Sequence, residues 1–201
     1  MNIAAQTRKL LESLQKPALA PFLADWPRTA LRRAVQSSQL PVLRWLPEIA
    51  RDAAPFGFEL VAEMCRAAPS LAWRQTYTAQ DLGRAFLDNY GWSEILGSGN
   101  GPLASERIAC GFLILGPSTH YPRHRHEAEE IYLPLSGTAA WQQGDAVWRE
   151  RVPGTLIHHA SDEPHAMRTG GSPLLALYLW RSDDLGQKAQ LEGRSARRHH
   201  R

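Results

Sequence analysis

From residue 6 to about residue 90 the apolar positions fall at helical spacing, and beyond that they fall in short runs of strand length. Leu10, Leu11 and Leu14 make a first stripe, Ala18 to Leu23 a second short piece, and Ala30 to Val35 a third after Pro27. Leu43, Leu46, Ile49 and Ala50 follow Pro41, and Leu60, Val61, Met64 and Cys65 give a fifth piece. Thr78-x-x-Asp81 reads as a capping box that opens a sixth helix through Leu82, Ala85 and Phe86. Prolines at 17, 21, 27, 41, 47, 55 and 69 keep these helices short, and the expectation is a packing layer over one face of a sheet. After Tyr90 the glycines at 91, 97, 99 and 101 with Pro102 read as a linker-like loop. The runs that follow are Ile108 to Leu115, Glu130 to Leu135, Thr138 to Gln142, Ala146 to Val152, Thr155 to His158, His165 to Thr169 and Leu174 to Trp180. Turn chemistry separates them at Ser136-Gly137, Gly144-Asp145, Pro153-Gly154, Asp162 to Pro164 and Gly170-Gly171, as in a sandwich or closed barrel.

Charge changes this picture at one end only. The net charge of +3 rests on residues 194–201, RSARRHHR, whose four arginines removed leave the remainder one unit negative. A near-neutral body lacks the basic face that nucleic-acid binding needs, so no nucleic-acid partner is expected, and the tail reads as a flexible basic terminus. No stretch is apolar enough for a membrane span, and the charged amphipathic N-terminus lacks a signal-peptide pattern; the expected location is cytoplasmic. Cys65 and Cys110 have no CxxC partner and read as buried structural thiols.

Six of the eight histidines lie between His120 and His165. His124 and His126 are two apart, so on a strand their imidazoles leave the same face, and Glu130 and Tyr132 repeat that spacing. A bend between Glu127 and Glu129 would set the second pair opposite the first across a hairpin. His165, entering a later strand behind Pro164, supplies a further donor. Imidazole with carboxylate is the ligand set of one divalent metal ion, zinc, iron or manganese. Tyr132 shares its parity with Glu130 and points at the same cavity, while His120, His158 and His159 read as surface or supporting residues. Trp141, Trp148, Tyr178 and Trp180 read as core or cavity-wall aromatics, and one facing the metal could hold a cation over its ring.

The pattern His124-x-His126-x3-Glu130-x6-Gly137 resembles the first motif of the cupin superfamily, and Pro164-His165 resembles the histidine of the second. The motif's opening glycine is displaced to Gly116, and the second motif's Pro-x-Gly reads Pro153-Gly154. More narrowly, NYGWSEILG from Asn89, ILGPSTHYPRHRHEAEEIY from Ile114 and EPHAMRT from Glu163 are similar to the cupin-type dimethylsulfoniopropionate (DMSP) lyases of the DddQ type. The resemblance implies a mainly β fold, a cupin (double-stranded β-helix, or jelly-roll) barrel behind five or six short helices. Residues 1–100 would be the helical N-terminal region, 101–190 the barrel and 191–201 the tail.

It further implies metal ligands His126, Glu130, Tyr132 and His165 with His124 close by, catalytic tyrosines Tyr132 and Tyr121, and Tyr121, Trp180 and Tyr178 against the substrate. The implied reaction is a metal-dependent β-elimination of DMSP to dimethyl sulfide and acrylate by a carbon–sulfur lyase. There the metal withdraws density from the substrate carboxylate and a tyrosine takes the α-proton. A free phenol has a pKa near ~10, and a nearby divalent cation favours the phenolate. The same ligands also serve cupin dioxygenases, isomerases and carboxylate-binding modules without turnover, and those stand as alternatives. A second copy of the chain is an open candidate partner, as a homodimer.

Overall fold

The computed structural model describes residues 3–192. Its helices are α1 (Ile3–Ser13), α2 (Ala20–Ala24), α3 (Leu46–Arg51), α4 (Phe58–Ala67) and α5 (Ala79–Leu87), joined in part by 3-10 turns that open on prolines. Its strands are β1 (Trp73–Arg74), β2 (Tyr90–Gly97), β3 (Leu103–Ala104), β4 (Ile108–Leu115), β5 (His120–Arg125), β6 (Glu129–Ser136), β7 (Ala139–Gln143), β8 (Arg149–Arg151), β9 (Ile157–His159), β10 (His165–Thr169), β11 (Leu174–Arg181) and β12 (Gln190–Leu191). One sheet runs β1-β2-β4-β11-β6-β9 with β3 beside β2, and the other runs β12-β5-β10-β7-β8. Every pair is antiparallel except β2 with β3.

The larger sheet is covered on both faces, which explains why β4 and β11 read as continuous apolar runs rather than alternating ones. Alternate residues leave opposite faces of a strand. Ile108, Cys110, Phe112 and Ile114 of β4, Ile131, Leu133 and Leu135 of β6, and Leu175, Leu177 and Leu179 of β11 therefore join one core with Leu11, Phe22, Ile49, Leu60, Val61 and Met64 of the helices. Their neighbours Leu113, Leu115, Tyr132, Ala176 and Tyr178 face the other way, into a second core shared with Tyr121, Trp141 and Met167 of the smaller sheet. That second core is the barrel interior. The fold is the expected mainly β cupin barrel with a helical N-terminal layer.

The capping box holds: the Thr78 backbone N–H donates to Asp81 Oδ2 at 2.8 Å at the start of α5. Three local expectations are corrected. Ala30 to Val35 is extended, not helical, because its backbone pairs with the chain around β3: the Arg33 N–H donates to Pro102 O, and Leu31 O accepts from Ala104 N–H, both at 2.9 Å. The stretch from Gly91, read as a loop, is strand β2, paired along β4. No hairpin joins β5 to β6, since β5 pairs with β10 and β12 while β6 pairs with β11 and β9. The bend after Arg125 carries the chain from one sheet to the other instead. A second crossing follows β6 at Gly137, where φ is +76° and a Cβ would meet Pro173 O at 2.0 Å, so only glycine fits. The basic tail lies outside the described residues from 193 onward. No helix among the described residues is long and apolar enough to cross a membrane.

The ring of Phe112 is fully buried between the sheet and the helices. Phe112→Ala is expected to cost about 3–5 kcal/mol in urea unfolding. Val147→Ser, at a side chain 72% exposed, is expected to cost less than about 0.5 kcal/mol.

Candidate metal centre

Three imidazoles converge inside the barrel, and each is fixed from behind. His124 and His165 are cross-strand partners on β5 and β10, and His126 lies just past the end of β5. Each Nδ1 sits on a backbone carbonyl: His124 on Pro122 O at 2.8 Å, His126 on Ala128 O at 2.8 Å, His165 on Glu163 O at 2.9 Å. A ring whose Nδ1–H is so engaged presents Nε2 as a free donor, as in histidines that bind metal. All three residues are buried, and one ligand atom from each lies within 4.8 Å of the others.

Glu130 reaches the same point from β6 in the opposite sheet. Its Oε2 is 3.0 Å from His126 Nε2 and 3.2 Å from His165 Nε2, and it is fully buried. Trp180, its cross-strand partner on β11, donates Nε1–H to Oε1 at 2.6 Å and lays its ring 4.3 Å from that of His126. Burial alone would raise the Glu130 pKa, but the imidazoles of His126 and His165 outweigh it and hold the carboxyl well below the usual range, ionised. His126 shows the other side of that pair: burial opposes its charge, and Glu130 lifts it above the ordinary histidine value. Burial, with His165 alongside, pushes His124 well below that value, so it is a neutral imidazole. His165 Nε2 is buried without a hydrogen-bond partner, because its approach to Glu130 lacks hydrogen-bond geometry. Three imidazole nitrogens, one of them orphaned, and one carboxylate suit a divalent cation.

Of the other sequence-derived candidates, Tyr121 stacks on His124 with ring centroids 4.0 Å apart and 8° between planes, and its hydroxyl shares a hydrogen bond with Tyr77 at 3.1 Å. Tyr132 points inward beside Glu130, 6.5 Å ring to ring from His165. Burial first, and the Glu130 carboxylate second, push its phenol well above the ordinary tyrosine value. Tyr121 is raised in the same way by burial and by the neighbouring Tyr90 and Tyr77. Tyr178 pairs with Tyr132 across β11 and β6 and lines the same space. These groups face a cavity of about 710 Å³, closed on one side by the segment Leu185–Ala189. That segment is held by β12 on β5 and by an Arg123–Glu192 ion pair of 2.5 Å. A second depression of about 640 Å³, around Gly137–Ala140 and Gly170–Ser172, holds none of the histidines.

Sequence reading missed three residues of this site. Tyr77, Tyr90 and Trp92 line the cavity from the part of the chain read as covering layer and linker. The signal available was the pair Tyr90 and Trp92 in NYGW, upstream of the first apolar run; Tyr77 stands alone in TYTAQDL and carries no such mark. His159, read as surface or supporting, is fully buried; its ring stacks on His165 at 4.0 Å and 14°, and burial pushes its pKa down to about 3. His120 and His158 do lie toward solvent, against Trp148 and Glu129 respectively.

Residues 22–176 match the family model for DMSP lyase, that is, dimethylsulfoniopropionate lyase. The chain is 35% identical to the dimethylsulfoniopropionate lyase DddQ of Ruegeria pomeroyi over 183 residues, 90% of this chain and 89% of that protein. The crystal structure of DddQ from Ruegeria pomeroyi DSS-3 superimposes with a TM-score of 0.85 at 32% identity, covering 95% of this chain and 94% of the other. A structure from a study of the DMSP lyases RdDddP and RnDddQII gives 0.83 at 30% identity, covering 94% and 95%.

Two substitutions separate ligation from support. His165→Ala is expected to abolish stoichiometric uptake of one divalent ion per chain, measured as metal content after dialysis. Trp180→Phe keeps a ring over His126 but strips Glu130 Oε1 of its donor. We expect it to weaken metal affinity by about 10–100-fold while the fold persists.

Proposed function

The chain belongs to the dimethylsulfoniopropionate lyase family, and from that premise we propose that it splits DMSP into dimethyl sulfide and acrylate. The observation that carries the reading is the meeting of three buried imidazoles and Glu130 beside an aromatic-lined cavity that two phenols, Tyr132 and Tyr121, also face. His124, His126, His165 and Glu130 are the proposed holders of a divalent ion, zinc, iron or manganese, with Tyr132 as a further ligand. Such an ion, when bound, draws electron density from a substrate carboxylate and makes the adjacent carbon a stronger acid.

The remaining work falls to the chain. Tyr132, as phenolate, takes the α-proton; the Cα–H electrons form the new double bond, the Cβ–S bond breaks, and sulfur leaves with the electron pair of that broken bond as neutral dimethyl sulfide. No oxidant enters and none is consumed. Tyr121, held by its stack on His124 and its bond to Tyr77, orients the substrate and is the second candidate for the base. Trp180 and Tyr178 form wall beside the departing group. Glu130, Tyr121 and Tyr132 are themselves buried, and charge that develops beside them interacts more strongly than it would in water.

Dimethyl sulfide in the headspace over purified protein, metal and DMSP is the direct test. Zinc, manganese and iron(II) are supplied separately, and a flat trace with all three removes the reading. Chelation should abolish release and metal should restore it. Tyr132→Phe keeps His124, His126, His165 and Glu130, so it is expected to take up one metal ion more weakly than the wild type and to melt as the wild type does, while losing at least about a hundredfold in kcat at saturating metal. Wild-type turnover in that variant would remove the phenol from the reaction.

A further inference from the structure

His159 and His165 stand at the two ends of the turn that joins β9 to β10. Three hydrogen bonds close that turn. The Ala160 N–H donates to Glu163 Oε2 at 3.1 Å, the Glu163 N–H to Ala160 O at 3.0 Å, and the Asp162 N–H to His126 O at 2.9 Å. So short a connection lays the two imidazoles face to face, with 4.0 Å between centroids and 14° between planes. His159 pairs with Glu130 across β9 and β6, so both side chains leave the larger sheet on the barrel side. The stack on His165 of the smaller sheet therefore spans the seam between the sheets. The same ring stands 6.1 Å from that of Tyr132, at 75° between planes.

His159 is fully buried, and among the described residues neither of its ring nitrogens has a hydrogen-bond partner. Glu163 Oε2 stops 3.7 Å from its Nδ1. An imidazole that makes no hydrogen bond contributes its flat face, and that face lies on His165. The need for it is geometric. His165 is held at Nδ1 by one carbonyl, Glu163 O at 2.9 Å, which sets the direction of the ring but leaves its tilt free. The Nε2 lone pair lies in the ring plane, so tilt decides where it points. A parallel ring in contact removes that freedom.

We propose that His159 is a positioning residue: its face sets the tilt of His165 and its flank seats the Tyr132 ring, so that a metal ligand from one sheet and the phenol from the other are held in a single frame. The inference rests on the lyase reading only for the use made of Tyr132. The flat ring carries the role, and the nitrogens do not.

The test loads the full chain with cobalt(II), whose visible absorption reports the arrangement of the atoms that bind it. His159→Leu fills the space without a plane, and it is expected to change the cobalt spectrum and to weaken cobalt affinity by about tenfold. At saturating metal it should lose at least about tenfold in kcat for dimethyl sulfide release, with KM within about threefold of the wild type. His159→Phe restores the plane without the nitrogens, and it should bring spectrum and affinity back, with kcat within about threefold of the wild type. A wild-type cobalt spectrum and affinity in His159→Leu, or a His159→Phe no better than His159→Leu, overturns the proposal. Should His159→Leu fail to fold, His159→Gln takes its place, with the same losses expected and a wild-type spectrum again overturning. The cobalt readouts need no turnover, so a chain whose spectrum responds in this way yet releases no dimethyl sulfide keeps the positioning role and loses the reaction.

Discussion

Glu130 is a carboxylate that solvent does not reach, and placing an ionised group there costs several kcal/mol unless partners surround it. The barrel interior is arranged around supplying those partners. His126 and His165 approach one oxygen from the smaller sheet, and the indole of Trp180 serves the other from the neighbouring strand. Backbone carbonyls then fix the imidazoles from behind, so the compensation for one buried charge extends to the main chain at Pro122, Ala128 and Glu163. A network of this kind is rigid because any slackening leaves a buried polar group unmet. The price in stability is recovered by the two hydrophobic cores that flank the larger sheet.

Much of this was legible in the chain because the signals are local. Strands β4, β10 and β11 stand where apolar runs are bounded by turn residues, and the two-residue parity of Glu130 with Tyr132 holds on β6, whereas His126 lies just past the end of β5 and still comes within reach of Glu130. What the parity could not carry is the partner. Whether β6 folds back on β5 or crosses to the other sheet depends on edges offered by β9, β10 and β11, which lie far along the sequence, so these residues meet through a different connection from the expected hairpin. Ala30 to Val35 has helical spacing and is nonetheless drawn out by pairing with β3, a tertiary preference that outweighs local propensity. The glycines at 91 and 97 looked like linker, yet neighbouring side chains leave no room for a Cβ at either, and that is a contact no local pattern reveals. For His159 the reading left surface and supporting places open, and the pairing of β9 with β6 decides for the supporting one: burial is set by the strand opposite, and the residue itself carries no mark of it.

The division of the site between sheets has a consequence for its energetics. The imidazoles of His124, His126 and His165 belong to the smaller sheet and its margin, while Glu130 and Tyr132 belong to the larger one. An ion held by both sets ties the sheets together, and its binding free energy becomes folding free energy for the barrel as a whole.

The same ion would decide whether the phenols can act. Burial and the Glu130 charge both keep the proton on Tyr132, so the cavity by itself disfavours the phenolate that the proposed elimination would use. On the proposed reading, a divalent cation bound by the imidazoles and that carboxylate would reverse the local field, since its charge exceeds that of the single anion it meets. Basicity at Tyr132 would then be conditional on a filled centre. A chain folded around Glu130 without metal would keep a protonated phenol, and would acquire the proposed base only with the ion that is also proposed to polarise the substrate.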